Sequence, residues 1–382
     1  GAWIERPATQ AVCRVLQNAG YQALFVGGCV RNALLNEPVN DIDIATDAHP
    51  ETVMQLAEAA GLKPVPTGLD HGTITVVSDH IPHEVTTFRE DVETFGRHAV
   101  VSYSDDVRHD AQRRDFTMNA LYARADGEVI DPLGGLSDLR ARRVRFIDDP
   151  AQRIREDYLR ILRFFRFHAW YGDPDQGLDP DGLDAIGRYL DGLAGLSRER
   201  VGAEMTKLLA APDPAPSIAA MRMTGVLSTV LPSVDDRALA PLVHLERAAG
   251  LRPDAMRRLA AMGGDGVAEK LRLSRAQVRQ LDLLRREAGS MKPAHELGYR
   301  HGADAALDVL ILRSAMLETP FDPRDAEAAR SASEALFPVS AQDLMPDYSG
   351  PALGRCLEEL QQRWIDSGFS LTREELLKGL AE

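Results

Sequence analysis

The chain has 382 residues, 44% of them hydrophobic and 27% charged, which is the texture of a globular protein large enough for two or more packed units. A formal net charge of −14 weighs slightly against a general nucleic-acid binder, because phosphate neutralisation needs a positive surface, and confines any RNA contact to a local patch. No apolar run approaches the roughly 20 residues that cross a bilayer, and the N-terminal GAWIERPATQ lacks the basic and apolar regions of a signal peptide. The widely separated Cys13, Cys29 and Cys356 exclude a disulfide framework and a Cys-rich zinc site, so a soluble cytoplasmic protein with buried thiols is expected.

In chain order, Ala11, Val12, Val15, Leu16 and Ala19 recur at helical spacing from Pro7 to Asn18 and stop at Gly20, which predicts a first helix. YQALFV (residues 21–26) reads as a buried strand, Gly27-Gly28 as a turn, and Val30 to Leu35 as a short helix. DIDIAT (41–46) alternates polar and apolar residues, so a strand is expected there with Asp41 and Asp43 on one face. A helix over 50–60 and two β-branched strands, GTITVV (72–77) and HEVTTF (83–88), complete a small mixed sheet with flanking helices. RRVRFI (142–147) is strand-like, and helical periodicity dominates from Pro150 onward, placing a boundary near Phe146. Arginines crowd the stretch from Arg140 to Arg166, dense enough to suggest an RNA or nucleotide patch over ion pairs on a solvated helix face.

Nucleotidyl transfer needs divalent cations that activate the attacking hydroxyl and neutralise a triphosphate, so carboxylates must converge. Asp41 and Asp43, at i and i+2 and roughly 7 Å apart along a strand, suit Mg²⁺. In the Gly27-Gly28 turn the missing Cβ atoms let backbone N–H groups approach phosphate, and Arg31 is placed to clamp a phosphate oxygen. Singly, each feature is ordinary; the ordered combination points to phosphate chemistry.

The stretch FVGGCVRNALLNEPVNDIDIAT (25–46) resembles the signature of the class II tRNA nucleotidyltransferase and bacterial poly(A) polymerase family. It departs from that signature at Asn32, where the family carries Asp. HEVTTFRED (83–91) is similar to the family's Glu-Val-Thr-Thr-Phe-Arg strand, which implies a supporting catalytic role for Glu84; Thr87 excludes the zinc-protease pattern, which needs a second histidine there. RRDFTMNAL (113–121) is similar to a second signature, implying that Arg114 and Asp115 hold the ribose and phosphates of the incoming nucleotide with Asn119 bracing Asp115. His109-Asp110 lacks the further ligands of a phosphohydrolase and is read as incidental.

REDYLRILRFFRF (155–167) looks like the family's Glu-Asp-x-x-Arg-x-x-Arg helix. The resemblance implies that Asp157 and Arg160, expected on one helix face, select bases without a nucleic-acid template, with Arg163 also in the nucleotide site. WIDSGFSLTREELL (364–377) looks like the terminal helix of an alphaproteobacterial-type subgroup. The implied fold is α+β, with a polymerase-β-like head over 1–145, a helical neck over 146–215, and a helical body and tail over 216–382 that bind RNA. The implied reaction uses CTP, ATP and Mg²⁺ to build or repair the CCA end of tRNA. Poly(A) polymerase and A-adding activity share these motifs. Residues 89–106 are long enough for the flexible loop tied to the C-to-A switch, which disfavours CC-only addition, although Phe95-Gly96 replaces the usual Asp-Gly. A silent RNA-binding protein would not need the carboxylates, and an antibiotic-modifying nucleotidyltransferase would not need the Asp157/Arg160 helix.

Overall fold

Pro7 supplies the fixed φ of a first helical turn, and Ala8, Val12 and Leu16 then bury one side of α1 (Pro7–Asn18), which stops short of Gly20 at φ 90°. In the computed structural model, which describes residues 1–95 and 98–378, the next elements are β1 (Leu24–Val26), α2 (Gly28–Leu34), β2 (Asp43–Thr46) and α3 (Pro50–Ala59). They are followed by β3 (Lys63–Gly68), β4 (Thr73–Ser78) and β5 (Ile81–Thr87). After these come β6 (Arg89–Phe95), β7 (His98–Tyr103), α4 (Val107–Gln112), β8 (Tyr122–Ala123), β9 (Val129–Ile130) and α5 (Gly135–Arg140). Among the described residues the main sheet runs β3-β4-β5-β2-β1-β8-β9, with β2 and β5 parallel and its other neighbours antiparallel.

The pleat divides this sheet into two faces. Ile44, Ile74, Val76 and Val85 point to the side covered by α1 and α3, where His83 also bonds Thr9 of α1 at 3.0 Å. Leu24, Val26, Ala45 and Tyr122 point to the other side and form a second core with Phe88, Ala111 and Ile147. Asp43 and Glu84 stand on this second side.

Three local expectations change. β3 was not among the expected strands; its two prolines are tolerated because it is an edge strand whose register slips between Val65 and Gly68. Within residues 89–106, the stretch read as long enough for the flexible loop, Arg89–Phe95 and His98–Tyr103 pair as a separate two-stranded ribbon of β6 and β7; Gly96, and Arg97 after it, lie outside the described residues. RRVRFI forms no strand and gives only an isolated bridge between Phe146 and Phe116.

The helices that follow are α6 (Pro150–Glu156), α7 (Leu159–Tyr171), α8 (Pro180–Arg188), α9 (Arg198–Leu209), α10 (Ala215–Met223) and α11 (Val226–Val230). Phe116 packs on Phe146 at 5.0 Å and on Phe167 at 4.9 Å between ring centres, so α7 is fixed directly beneath the segment that carries Arg114 and Asp115.

The chain divides into two compact units, Gly1–Pro232 and Ser233–Glu382. The second holds α12 (Leu239–Ala248), α13 (Ala255–Met262), α14 (Val267–Lys270), α15 (Arg275–Ser290), α16 (Ala294–His301), α17 (Ala303–Met316), α18 (Pro323–Ser333), α19 (Gly350–Asp366) and α20 (Arg373–Lys378). Its C-terminal core gathers Leu360, Trp364 and Leu376 with Tyr299 and Phe369. The expected α+β class, sheet first and helices after, therefore holds. Among the described residues no helix is long and apolar enough to cross a membrane.

Candidate active site

β2 begins at Asp43 rather than Asp41, and Asp43 is the register partner of Glu84 on the parallel β5. Register partners project to the same face, so the two carboxylates stand side by side. Asp41 lies exposed just ahead of the strand. Burial, then Glu84 and Asp41, push the Asp43 carboxyl up to about 6, while the nearby Arg114 guanidinium pulls it down. This crowding of negative charge is what a divalent cation relieves. Among the described residues no group of three or more His, Cys, Asp or Glu side chains closes into a metal cage. Mg²⁺ commonly uses only one or two carboxylates and takes its remaining oxygens from water and phosphates, so Asp41 and Asp43 suit it.

Gly27 caps α2 with φ 69° and ψ −117°, a conformation that a side-chain-bearing residue resists. A Cβ there would lie 3.5 Å from Arg114 Nη1, so the turn runs directly over the Arg114 guanidinium, and Gly28 starts the helix. Arg114 is fixed from behind by Asp110 (Nη2 to Oδ2, 2.9 Å) and by the Tyr122 hydroxyl (3.2 Å), which itself donates to Asp110 at 2.7 Å. Asp110 also takes Arg113 at 2.6 Å, and the two guanidiniums outweigh its desolvation, holding its carboxyl well below the usual range. Asp110 of the His109-Asp110 pair, read from the sequence as incidental, is thus the anchor of Arg114.

Asp115 is buried. Its Oδ1 accepts from Asn119 Nδ2 at 2.8 Å and its Oδ2 from Arg163 Nε at 2.7 Å. Asn119 therefore braces Asp115 as expected, although from a 3₁₀ turn (Thr117–Asn119) in place of an α-helix. Arg31 is only 6% exposed and donates to Asn119, to Asn32 Oδ1 at 3.0 Å and to the Tyr171 hydroxyl at 2.9 Å, with its guanidinium 4.0 Å from the Tyr171 ring centre. Its present bonds tie the glycine turn to the end of α7 instead of opening toward solvent. Asn32 supplies an amide oxygen to Arg31 and donates to Pro38 O at 2.9 Å, so this departure from the signature leaves the Arg31 cation paired with a neutral group.

Asp157 and Arg160 do not share a helix face. The helix breaks at Asp157 (φ −152°, ψ 107°), between α6 and α7. Asp157 Oδ1 accepts from Leu159 N–H at 3.1 Å, as a helix cap does, and Oδ2 accepts from Arg200 Nη2 of α9 at 2.5 Å. Arg160 turns to Glu156 Oε2 (2.5 Å) and to the carbonyls of Arg153 (3.0 Å) and Arg113 (3.1 Å). A cap competes with continuous helix at Asp, and the i,i+4 pairing of Arg160 with Glu156 replaces the i,i+3 pairing read from the spacing.

The arginine-rich stretch is largely engaged in ion pairs, contrary to the reading as an open patch. Arg143 and Arg145 hold Asp138, Arg153 and Arg160 hold Glu156, Arg163 holds Asp115, and Arg166 holds Glu204. Arg140, Arg142, Arg143, Arg145 and Arg155 remain exposed. Asp110, Glu156, Tyr171, Arg200 and Glu204 were not identified from the sequence. Their partners lie up to 140 residues away, and only the i,i+4 spacing of Glu156 to Arg160 and of Asp110 to Arg114 offered a local signal.

Residues 23–145 match the family described as "Poly A polymerase head domain", and residues 177–237 match "Probable RNA and SrmB- binding site of polymerase A". Over 97% of its length the chain is 32% identical to the mitochondrial CCA tRNA nucleotidyltransferase 1 of Danio rerio, spanning 90% of that protein. It is 40% identical to the CCA-adding enzyme of Anoxybacillus flavithermus over 57% of this chain and 54% of that one. The fold superposes on the CCA-adding enzyme of Bacillus stearothermophilus in complex with CTP with a TM-score of 0.72 and 27% identity, covering 95% of this chain and 94% of that one. By these matches the chain belongs to the class II family of CCA-adding tRNA nucleotidyltransferases.

Proposed function

We propose that this enzyme transfers CMP and AMP from CTP and ATP to the 3′ end of tRNA, building or repairing its CCA terminus. The observation that carries the reading is the register pairing of Asp43 with Glu84, on the same sheet face as the Arg114 guanidinium and beneath the Gly27 turn. In the reaction the 3′ hydroxyl attacks the α-phosphorus, a P–O bond forms, and the bond to pyrophosphate breaks. A divalent cation, Mg²⁺ by the chemistry of its donors, would be held by Asp41 and Asp43 and would neutralise triphosphate charge and ease loss of the hydroxyl proton.

The chain's own groups do the rest. Glu84 adds a third carboxylate to the catalytic face. Gly27 and Gly28 let the triphosphate approach the backbone, and Arg114 presents a guanidinium to it, with Arg31 tying the turn down. Asp115, held by Asn119 and Arg163, accepts from ribose hydroxyls. Asp157 accepts from the exocyclic amino group that cytosine and adenine share, and Arg160 donates to ring acceptors, so uracil and guanine are refused. Residues 1–145 serve as catalytic head, 146–215 as neck, and 216–382 as the RNA-holding body and tail. Three buried thiols without a disulfide fit a reducing compartment such as the cytoplasm.

Incubation with Mg²⁺, CTP, ATP and tRNA transcripts ending before CCA, after C and after CC tests the reading. All three are expected to stop at completed CCA. Extension of only the CC-ended transcript would make the enzyme an A-adding specialist, long adenosine ladders would make it a poly(A) polymerase, and no extension by folded protein would overturn the enzymatic reading.

A further inference from the structure

We propose that Tyr171 is a positioning residue for sugar selection, holding Arg31 and, through Asn119, the Asp115 carboxylate in the orientation that receives a ribose hydroxyl. The inference rests on the proposed role of Asp115 at the ribose.

Arg163, Phe167 and Tyr171 follow one another at four-residue spacing on α7 and so share one face. Each end of that face grips a different part of the nucleotide site. At one end Arg163 Nε donates to Asp115 Oδ2 at 2.7 Å. At the other the Tyr171 hydroxyl accepts from Arg31 Nη2 at 2.9 Å, and the guanidinium lies 4.0 Å from the Tyr171 ring centre. The Phe167 ring stands between, 5.2 Å from the Arg31 guanidinium and 5.3 Å from that of Arg163. Asn119 joins the two ends, since its Oδ1 accepts from Arg31 Nη1 and its Nδ2 donates to Asp115 Oδ1 at 2.8 Å. The side chains thus close a ring from Tyr171 through Arg31, Asn119, Asp115 and Arg163 and back along α7.

The chemistry of the ring fixes its direction. A guanidinium only donates and a carboxylate only accepts, so the Asn119 amide must turn its oxygen to Arg31 and its amino group to Asp115. Asp115 Oδ1 also accepts from the Phe116 N–H at 2.9 Å, so both of its acceptor sites are filled and Oδ2, where Arg163 is the partner, is left to face a sugar hydroxyl. Arg31 is buried, and a buried guanidinium that loses the Tyr171 hydroxyl must shift to find another acceptor. That shift releases the Asn119 oxygen, the amide turns, and the Asp115 carboxylate rotates away from the sugar. The competing role for Tyr171 is plain packing at the end of α7, where its ring meets Phe167 at 5.5 Å between centres.

The test measures kcat and KM for CTP and for its 2′-deoxy and 3′-deoxy analogues on a tRNA transcript ending before CCA. The proteins compared are the wild type, Tyr171→Phe, Tyr171→Leu, Asp115→Asn and the Asp115→Asn/Tyr171→Phe double variant. Tyr171→Phe deletes the hydroxyl and keeps the ring, and is expected to lower the kcat/KM preference for CTP over one of the analogues about threefold, chiefly through KM for CTP. Tyr171→Leu should lower it about tenfold, and the double variant should be no worse than Asp115→Asn. An unchanged preference in Tyr171→Phe beside a collapsed one in Asp115→Asn would overturn the inference alone. An equal loss for CTP and both analogues in Tyr171→Phe would reduce Tyr171 to general packing and overturn the inference as well. An unchanged preference in Asp115→Asn would overturn the ribose role and the inference with it. Should Tyr171→Phe fail to fold, Arg31→Lys carries the test, since a lysine keeps the charge but lacks the planar fork that reaches Asn119 and Tyr171 together, and a wild-type preference in it would overturn the inference.

Discussion

Asp115 and Arg163 are 48 residues apart in sequence, and their side chains meet at 2.7 Å where the segment after α4 packs on α7. Arg163, then the Asn119 amide, outweigh desolvation and hold the Asp115 carboxyl at about 2. The depressed folded value means that the contribution is complete above the unfolded pKa near 3.9 and is lost as pH falls toward 2, a shift worth on the order of 2 kcal/mol. The stability gap between wild type and Asp115→Asn should therefore be full at pH 5 and shrink steadily below pH 4. Urea melts across that range check it, and a gap that does not change with pH would show that the ion pair contributes nothing through charge.

For Asp43 the expectations for stability and for activity diverge. Its carboxyl is raised to about 6 by burial and by its acidic neighbours, so the charged group is a burden on the fold. Asp43→Asn should melt at or above the wild-type temperature without divalent cations yet lose transfer by about a thousandfold or more, the scale of removing charge stabilisation from a transition state. Mg²⁺ with CTP should raise the wild-type melting temperature and leave that of Asp43→Asn nearly unmoved. A variant that still transfers CMP at the wild-type rate would remove Asp43 from the metal site.

Replacing Arg160 with Ala removes the proposed donor to ring acceptors and leaves Glu156 with Arg153 and Gln152 as partners. Discrimination of CTP and ATP against UTP should fall by about 10 to 100 fold, the scale of a lost charged hydrogen bond. Competition between nucleotides on one tRNA transcript reads this directly, and an unaltered preference would count against Arg160 as part of the protein template.

Cys13 and Cys29 are buried under the sheet, and desolvation pushes their thiols up to about 12 and about 11. The thiolate is the reacting form, so both should resist a thiol reagent at pH 8 in the native state and react at once in denaturant. Rapid native labelling of either would contradict their packing.

Much of the head was legible in the sequence because its signals are local. β-branched content marked the strands that carry Ile74, Val76 and Val85, which the structure buries, and the Gly27-Gly28 pair marked its own turn. The break at Asp157 was not legible, because i,i+3 spacing describes a continuous helix and cannot reveal that a cap and a distant Arg200 each take one oxygen of the same carboxylate. The arginine patch misled for the same reason. Its neutralising partners Asp115, Asp138 and Glu204 come from other elements, so charge density along the chain overstated charge at the surface. β3 carries no clear strand signal in the sequence, since KPVPTG has two prolines that a strand accepts only at an edge.

The neck break depends on a contact that a single methyl group would destroy. A Cβ at Gly192 would lie 1.9 Å from Tyr158 Cδ1 and 2.0 Å from Cε1, so the Tyr158 ring sits where only glycine leaves room. Tyr158 follows Asp157 directly and begins α7, and displacing its ring must turn the backbone that orients Asp157. Gly192→Ala should cost about 1–3 kcal/mol as overpacking and should also lower base selectivity, because strain at Tyr158 is transmitted to its neighbour. Gly187→Ala is the control, since its Cβ would meet nothing within 4 Å, and it should leave both stability and selectivity near wild type. Melting temperature and the CTP-over-UTP ratio, measured on both variants, separate a local strain from a general loss of packing: Gly192→Ala destabilised with unchanged selectivity would mean that Asp157 is held independently of Tyr158.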